Sequence, residues 1–421
     1  MIKITEEKKR LLSNFFSLST LQALNMILPL ITLPYLVRVL GVENFGLINF
    51  VLSIIMCFDI LVSFGFELSA TREVSINRDN IKKLSEIFSS VLLIKGLLAI
   101  ISFIILFVMI MTISTFQEYA LLYYVTFGLI IGNILFPIWF FQGIERMEYI
   151  TYINVITRSI FTILIFVFVK QSSDFIYIPI LNSLGVIIGG CYSLLLIFKK
   201  FDIKLYVPSK HLIISRFRES SLFFLSRLSN IGSRHITIIV VGKYFGNTMV
   251  GYYTMADKLY HAFKSIGGVV STTIYPYMSR TKDLILYKKV LSSLILISII
   301  IITPTLFFNE YLLQLVFKIN NKVLSNIFII LFSGSIVEIV NAMLGYPLLA
   351  AFGHIKYANN SLIYASAFYF VYIIIVTYFF QNIYLVSFSI IAYVLVAFIF
   401  RLYYIYKAKI FSNTDIKDGD D

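Results

Sequence analysis

The sequence predicts an all-α integral membrane protein with about twelve transmembrane helices and both termini in the cytoplasm. Three observations lead to this prediction: the composition, the recurrence of long apolar runs, and the distribution of lysine and arginine between those runs. Of the 421 residues, 59% are hydrophobic and only 14% are charged, and the mean hydropathy is +0.89. A soluble chain carries roughly 25% charged residues. The composition therefore excludes a soluble globular protein.

Twelve apolar runs are long enough to cross a bilayer, because a hydrocarbon core of about 30 Å takes roughly 20 residues of helix. Their predicted bounds are 15–37, 45–66, 88–113, 119–141, 150–169, 175–198, 220–242, 250–276, 290–309, 324–352, 358–380 and 384–406. The runs follow one another so closely that no stretch remains for a separate soluble domain. The seventh and eighth runs are the least apolar.

Lysine and arginine concentrate on one side of this predicted topology. With the N-terminus in the cytoplasm, the cytoplasmic segments hold 24 of the 35 basic residues, the outer loops hold five, and six lie inside helices. The 24 include Arg401, which this count assigns to the C-terminal segment. Cytoplasmic loops of membrane proteins characteristically retain lysine and arginine. The net charge of +13 is therefore explained by topology, and we expect no nucleic-acid partner.

The sequence carries no pattern typical of a cofactor or a catalytic centre. Cys57 and Cys191 both fall inside apolar runs, without metal-ligand spacing. There is no nucleotide-binding glycine loop and no pair of carboxylates in a loop. The largest predicted outer loop, around residues 310–323, has about fourteen residues, which is too short for an extracytoplasmic catalytic domain. We therefore expect a protein that is not an enzyme and holds no metal or cofactor.

Two pairs of similar segments predict an internal duplication. Leu40–Gly46 and Phe245–Gly251 share the pattern of an aliphatic or aromatic residue, glycine, four residues and glycine, at an offset of 205. Pro137–Gly143 and Pro347–Gly353 begin and end alike, at an offset of 210. Two matches at corresponding places favour a repeat of six helices.

The duplication predicts two lobes, residues 1–205 and residues 206–421. Each six-helix unit starts and ends on the same side of the membrane, so the copies share one orientation. Transporters built from such repeats bind their substrate between the halves and move one half against the other.

The seventh predicted helix carries a polar stripe. Arg227, Asn230 and Arg234 stand at positions i, i+3 and i+7, a spacing that puts all three on one helical face. Charged side chains within a bilayer cost roughly 2.5–3.5 kcal/mol each and usually face a cavity or a partner. The stripe is therefore a candidate binding surface. The alternative for Arg227 is that its side chain snorkels to the nearby membrane interface.

The eighth predicted helix carries a second stripe. Asp257, His261 and Lys264 stand at i, i+4 and i+7, and Lys258 lies about 100° away around the helix. Lys258 is a further candidate for binding the substrate. The alternative is that it only pairs with Asp257. Two neighbouring helices thus each present charged groups within apolar sequence.

The depth of these residues follows from the helical rise of about 1.5 Å per residue. Arg234 is expected level with Asp257 and able to pair with it, whereas Arg227 is expected level with Lys264. Asp59 of the second predicted helix is the repeat equivalent of Lys264 and is expected to neutralise one cation when no substrate is bound. A surplus of positive charge then remains, which suits a diphosphate, because arginine binds phosphate oxygens bidentately.

Several segments resemble one family of transporters. Pro137–Met147 (PIWFFQGIERM) and Val250–Leu259 (VGYYTMADKL), followed by Ile274–Pro276 and Ser279-Arg280, resemble motifs of the Wzx-type O-antigen flippases. These proteins form the polysaccharide transporter family of the MOP flippase superfamily. The resemblance covers essentially the whole chain in length, helix number and order of motifs.

The resemblance implies a V-shaped, MATE-like arrangement of the two lobes. It implies a substrate of a few sugars on undecaprenyl pyrophosphate, moved from the cytoplasmic to the periplasmic leaflet of the bacterial inner membrane. The expected partners are this lipid-linked oligosaccharide, membrane lipids and other O-antigen assembly proteins, with proton or sodium coupling as an open possibility for the driving force. Tyr252, Tyr253 and Tyr260 are the candidates for stacking on sugars, although membrane-interface belts use tyrosine as well.

Two alternative functions compete with this one. An ion-coupled exporter of drugs or small solutes, from the same superfamily, would favour acidic residues in the first helices, where Asp59 is the clear example. An O-antigen polymerase or ligase would need a large outer loop, and the predicted outer loops are short.

Overall fold

The computed structural model of the protein describes residues 6–411, except for the side chains of residues 6–19, 21–22, 25, 222–223, 225–227 and 229–231. Across residues 6–411 the secondary structure is helical, with no β-strand. The α-helices are α1 (Glu6–Ser63), α2 (Phe66–Ile76), α3 (Ile81–Thr112), α4 (Ser114–Glu118), α5 (Ala120–Leu135), α6 (Ile138–Gly143), α7 (Met147–Phe168), α8 (Tyr177–Lys200), α9 (Lys210–Phe245), α10 (Asn247–Thr281), α11 (Leu284–Phe307), α12 (Asn309–Phe317), α13 (Lys322–Ser333), α14 (Ser335–Met343), α15 (Ile355–Ile375) and α16 (Ile383–Lys407). A 3₁₀ turn (Ser172–Ile176) and two π-helical segments (Leu344–Ala350 and Val376–Phe380) complete the set.

Within the described part of the chain, nine helical stretches are long and apolar enough to cross a membrane. The first, Met26–Ile76, has 51 residues, more than twice what one crossing takes. Helix α10, the eighth predicted span, is not among the nine, in agreement with its lower hydropathy in the sequence. Helix α9, the seventh, is described only in part. The prediction of an all-α, multi-pass membrane protein is confirmed.

The first pair of repeated segments has the same backbone conformation in both copies. Gly41 interrupts α1 with φ 77° and ψ 166°, and Gly246 separates α9 from α10 with φ 84° and ψ 173°. Essentially only glycine adopts this region. A Cβ atom at either position would meet no other heavy atom within 4 Å, so the backbone, not packing, requires glycine here. The two breaks lie at the predicted offset of 205.

The second pair of repeated segments is also alike in structure, but in a different register. After α6, the Arg146 N–H donates to the carbonyl five residues earlier at 2.9 Å, and Glu145 has φ 58°. After the first π-helical segment, the His354 N–H donates to the carbonyl five residues earlier at 2.8 Å, and Gly353 has φ 92°. Both turns are Schellman motifs. Glu145 and Gly353 are therefore equivalent, at an offset of 208, and the predicted offset of 210 for this pair is wrong by two residues.

The chain divides into two compact units, Met1–His235 and Ile236–Asp421. The core of the first unit is aromatic, with Phe88, Phe140 and Phe141 completely buried and packed edge to face. The core of the second unit contains the completely buried Met278, Tyr287, Met343, Leu348 and Leu349. The boundary between the units falls within α9, whereas the sequence places the lobe boundary in the connection before that helix. The lobes 1–205 and 206–421 stay a prediction.

Candidate functional site

The polar face of α10 lies largely inside the second unit. The side chain of Asp257 is 1% exposed, and its Oδ1 lies 3.4 Å from Nε2 of His261 one turn later. Because residues i and i+4 are neighbours on a helix surface, the predicted spacing brings these two groups together. Lys258, around the helix from them, is half-buried and also has an interacting partner.

Lys264, the third member of this stripe, forms an ion pair with Glu338 of α14. The two side chains differ in exposure, 34% for Lys264 and 14% for Glu338. An ion pair between two helices in apolar surroundings is stable only if the geometry is good, because both charges lose hydration. Glu338 lies inside the tenth apolar run of the sequence, and no spacing along that run indicates its partner.

Asp59 was predicted to neutralise Lys264 from the first lobe. In the structure, Asp59 Oδ1 accepts a hydrogen bond from Nδ2 of Asn133 of α5, at 3.0 Å, within the first unit. Lys264 has its carboxylate partner within the second unit. The Asp59–Lys264 pair stays a prediction, and it now has to compete with Glu338.

Arg401 is a charged residue whose position the sequence analysis missed. It was counted with the cytoplasmic C-terminal segment, but it lies in α16, and only 6% of its surface is exposed. Its Nε donates to Oγ of Ser361 at 3.1 Å, and its Nη1 donates to the carbonyl of Asn341. Asn341 lies one turn after Glu338 on α14. The signal available in the sequence was an arginine inside the last apolar run.

The α9 stripe is described only in part. Arg234 is half-buried and has an interacting partner, whereas the side chains of Arg227 and Asn230 lie outside the described residues. The predicted pairing of Arg234 with Asp257, and the roles of Arg227 and Asn230, stay predictions.

The three candidate tyrosines differ in their surroundings. Tyr253 and Tyr260 are completely buried, and the ring of Tyr260 packs edge to face with Phe332 of α13, at 6.5 Å between centroids. Their faces are therefore filled by protein in this conformation. Tyr252 is half-buried, and its hydroxyl accepts a hydrogen bond at 3.2 Å from Asn321, which caps α13. Of the three, Tyr252 is the one with an accessible surface.

The segment Pro137–Met147 borders a polar cleft of about 420 Å³ in the first unit. The cleft is lined by residues that include Arg78, Asp79, Arg146, Lys200 and Asp202. Its cations have partners nearby: Arg78 Nη1 lies 3.2 Å from Glu145 Oε2, for example. The motif that carries the family resemblance is thus part of an ion-paired helix junction.

The described residues contain no group of three histidine, cysteine or acidic side chains that could hold a metal ion. Cations and a carboxylate lie on neighbouring helices of the second unit, Lys264 on α10, Glu338 on α14 and Arg401 on α16. Such groups can hold an anion electrostatically.

Comparison with known proteins gives the family. A family model described as "Polysaccharide biosynthesis protein" matches residues 11–282, well over half of the chain. The chain belongs to this family. The chain is also similar to a "Putative O-antigen transporter" of Escherichia coli (strain K12), 30% identical over 297 residues, which are 69% of this chain and 71% of that protein. A "Putative O-antigen transporter" of Shigella dysenteriae is 26% identical over 63% of this chain and 67% of its own length. The resemblance read from the motifs is confirmed.

This polysaccharide biosynthesis family member also has the fold of solved transporters. It is similar to an inward closed structure of the lipid II flippase MurJ, with a TM-score of 0.70 and 16% identity over 94% of this chain and 87% of that one. It is similar to an inward-facing multidrug resistance MATE family transporter of the MOP superfamily, with a TM-score of 0.68 and 13% identity over 94% and 99% of the two chains. At these identities the likeness shows a shared fold.

Proposed function

We propose that this protein is a flippase for undecaprenyl-pyrophosphate-linked O-antigen or related polysaccharide repeat units. It moves them from the cytoplasmic to the periplasmic leaflet of the bacterial inner membrane by alternating access, using cations of a central cavity to hold the diphosphate. The observation that carries the proposal is the family match over residues 11–282, which runs through the polar face of α10. The names of the two relatives, both putative O-antigen transporters, support the substrate class.

The proposal includes twelve spans in two six-helix lobes with cytoplasmic termini. Nine stretches are apolar enough to cross, and the first, with 51 residues, is broken at Gly41 into two helices. Helices α9 and α10 have 36 and 35 residues, and each is longer than one crossing takes. Counting the broken stretch as two spans and adding α9 and α10 gives twelve, and the distribution of lysine and arginine supports the orientation.

The proposed binding groups are Arg227 and Arg234 of α9, with Lys258 and Lys264 of α10. Arginine presents a planar fork to two phosphate oxygens, whereas lysine acts as a movable point charge. Asp59, Asn230, Asp257 and His261 are proposed as their polar neighbours. In a site with little water, the electrostatic attraction between a diphosphate and these cations is stronger than it is in bulk solvent.

The alternative is an ion-coupled exporter of drugs or small solutes, and the fold shared with MATE transporters is the observation in its favour. Such a protein would use acidic groups toward a cationic solute. The net positive charge of the proposed site disfavours a cationic substrate.

The experiment is complementation of a strain that lacks its own O-antigen flippase. We expect Arg234→Ala to abolish surface O-polysaccharide while the protein remains in the membrane, and Arg234→Lys to keep part of it, because charge survives without the fork. Lys243→Ala is the matched control, since Lys243 is an exposed cation on the same helix, outside the stripe. Wild-type polysaccharide from Arg234→Ala would contradict the proposed site.

A further inference from the structure

Three charged groups of the second unit lie on three different helices. Lys264 of α10 pairs with Glu338 of α14, and Arg401 of α16 donates to the carbonyl of Asn341, which lies one turn after Glu338 on α14. Their exposure falls in that order, with 34% of the Lys264 side chain, 14% of the Glu338 side chain and 6% of Arg401 accessible. An incoming anion therefore reaches Lys264 first.

Arg401 is held in place by neutral groups. Its guanidinium donates to the Ser361 hydroxyl and the Asn341 carbonyl, which tie α16 to α15 and α14. A Cβ on Gly345 would lie 3.1 Å from the guanidinium carbon, so the space on that side is already filled. Arg401 thus remains a fixed positive charge beside Glu338 whether or not Lys264 stays in place.

Lys264, by contrast, is able to change partners. A lysine ammonium sits on a flexible four-carbon stem and forms no fork that fixes its geometry. A buried carboxylate that loses its only cation is strongly destabilised. Here Arg401 still neutralises part of the Glu338 charge after Lys264 has moved.

We infer that Lys264 exchanges Glu338 for the diphosphate of the substrate, while Arg401 stays fixed near Glu338. This inference rests on the proposed function and adds a release step to it. Glu338 competes with the substrate anion for the same ammonium, so it weakens binding and returns Lys264 to its resting partner when the substrate leaves. A substrate that bound too tightly would leave the site slowly.

The test measures binding of farnesyl diphosphate to the full chain in lipid nanodiscs. We expect Glu338→Gln to lower the Kd by about tenfold, equivalent to about 1.4 kcal/mol, because the competitor for Lys264 has lost its charge. Lys264→Met should raise the Kd, and Lys264→Met with Glu338→Gln should match Lys264→Met alone. Glu310→Gln is the control, since Glu310 is an exposed acid on α12 of the same unit.

A charge swap separates exchange from a purely structural ion pair. In Lys264→Glu with Glu338→Lys, the pair can reform, so thermal stability should recover while diphosphate affinity should not. Wild-type affinity in the swap, or a Glu338→Gln variant that binds no tighter than wild type, would overturn the inference. So would a wild-type protein that binds no farnesyl diphosphate.

The complementation assay distinguishes a failure of the Lys264 exchange from a failure of the proposed flippase function. If only the exchange is wrong, Glu338→Gln keeps the wild-type Kd although Arg234→Ala still abolishes surface polysaccharide. If the proposed function is wrong, Arg234→Ala leaves surface polysaccharide intact, whatever the Kd values.

Discussion

Replacing Gly246 by alanine tests the duplicated helix break, because the structure isolates one physical effect there. With φ 84° and ψ 173°, Gly246 occupies a region that alanine adopts only under strain, at a cost of about 1–3 kcal/mol. No heavy atom lies within 4 Å of the Cβ that alanine would add, so no clash contributes. Gly41 has nearly the same angles and the same empty surroundings, and Gly41→Ala should therefore cost a similar amount.

Two helical glycines supply matched controls. Gly96 in α3 and Gly268 in α10 also have no heavy atom within 4 Å of an added Cβ, but both have ordinary helical backbones. Alanine there should stabilise by about 0.8–1.0 kcal/mol, through helix propensity. The free energy of unfolding, measured by titration with SDS in mixed micelles, should thus fall for the two break positions and rise for the two controls.

The comparison refutes the reasoning if Gly246→Ala is as stable as wild type, or if Gly268→Ala loses as much stability as Gly246→Ala. A cost at Gly246 without one at Gly41 would show that the two breaks are not energetically equivalent, and the argument for a repeat would lose its first pair.

Three further substitutions probe the packing of the two units by the same measurement. Gly143→Ala should lower the free energy of unfolding by about 1–3 kcal/mol, because its Cβ would lie 2.5 Å from the Val74 side chain. Adding Val74→Ala should restore little of this loss, since the Cβ that alanine keeps at position 74 would still lie 2.6 Å away. Arg401→Met should lower the free energy of unfolding by about 1–3 kcal/mol, because the Ser361 hydroxyl and the Asn341 carbonyl lose their donor. Arg401→Lys should lower it less, and equal losses would show that charge is irrelevant there. Arg216→Met should lower the free energy of unfolding by about 1.5–3 kcal/mol, because Arg216 loses its ion pair with α2. Arg218 is exposed, and Arg218→Met should change the stability little. Equal effects of the two substitutions would contradict a role for the ion pair.

The ion pair between α2 and α9 illustrates a contact that sequence reasoning did not anticipate. Arg216 was counted as one more cytoplasmic cation, yet its side chain is only 8% exposed and its Nη1 lies 2.5 Å from Glu73 Oε2. Close by, the ring of Phe217 stacks on that of Phe64, at 4.1 Å between centroids. The start of α9 therefore belongs to the packing of the first unit, and the compact boundary falls inside the helix.

The contact between Asp257 and His261 was predictable along α10, whereas contacts between helices were not. The spacing of Asp257 and His261 was enough to predict their proximity, because 3.6 residues per turn brings i and i+4 together. The partner of Lys264 was not predictable in this way, since Glu338 is 74 positions away and on another helix. The burial of Tyr253 and Tyr260 likewise depends on which helices pack against α10.

The amino-acid sequence alone determined that the chain crosses a membrane repeatedly as helices, which helices are least apolar, and where glycine breaks the first pair of repeated segments. These properties are local, because hydropathy, helical period and the φ of glycine act within a few residues of one another. Only the tertiary structure decided that Glu338 holds Lys264, that Arg401 is an interior group, and that the second repeat is aligned two residues differently. Those outcomes depend on which helices pack together and at what height, and no spacing along a single helix contains that information.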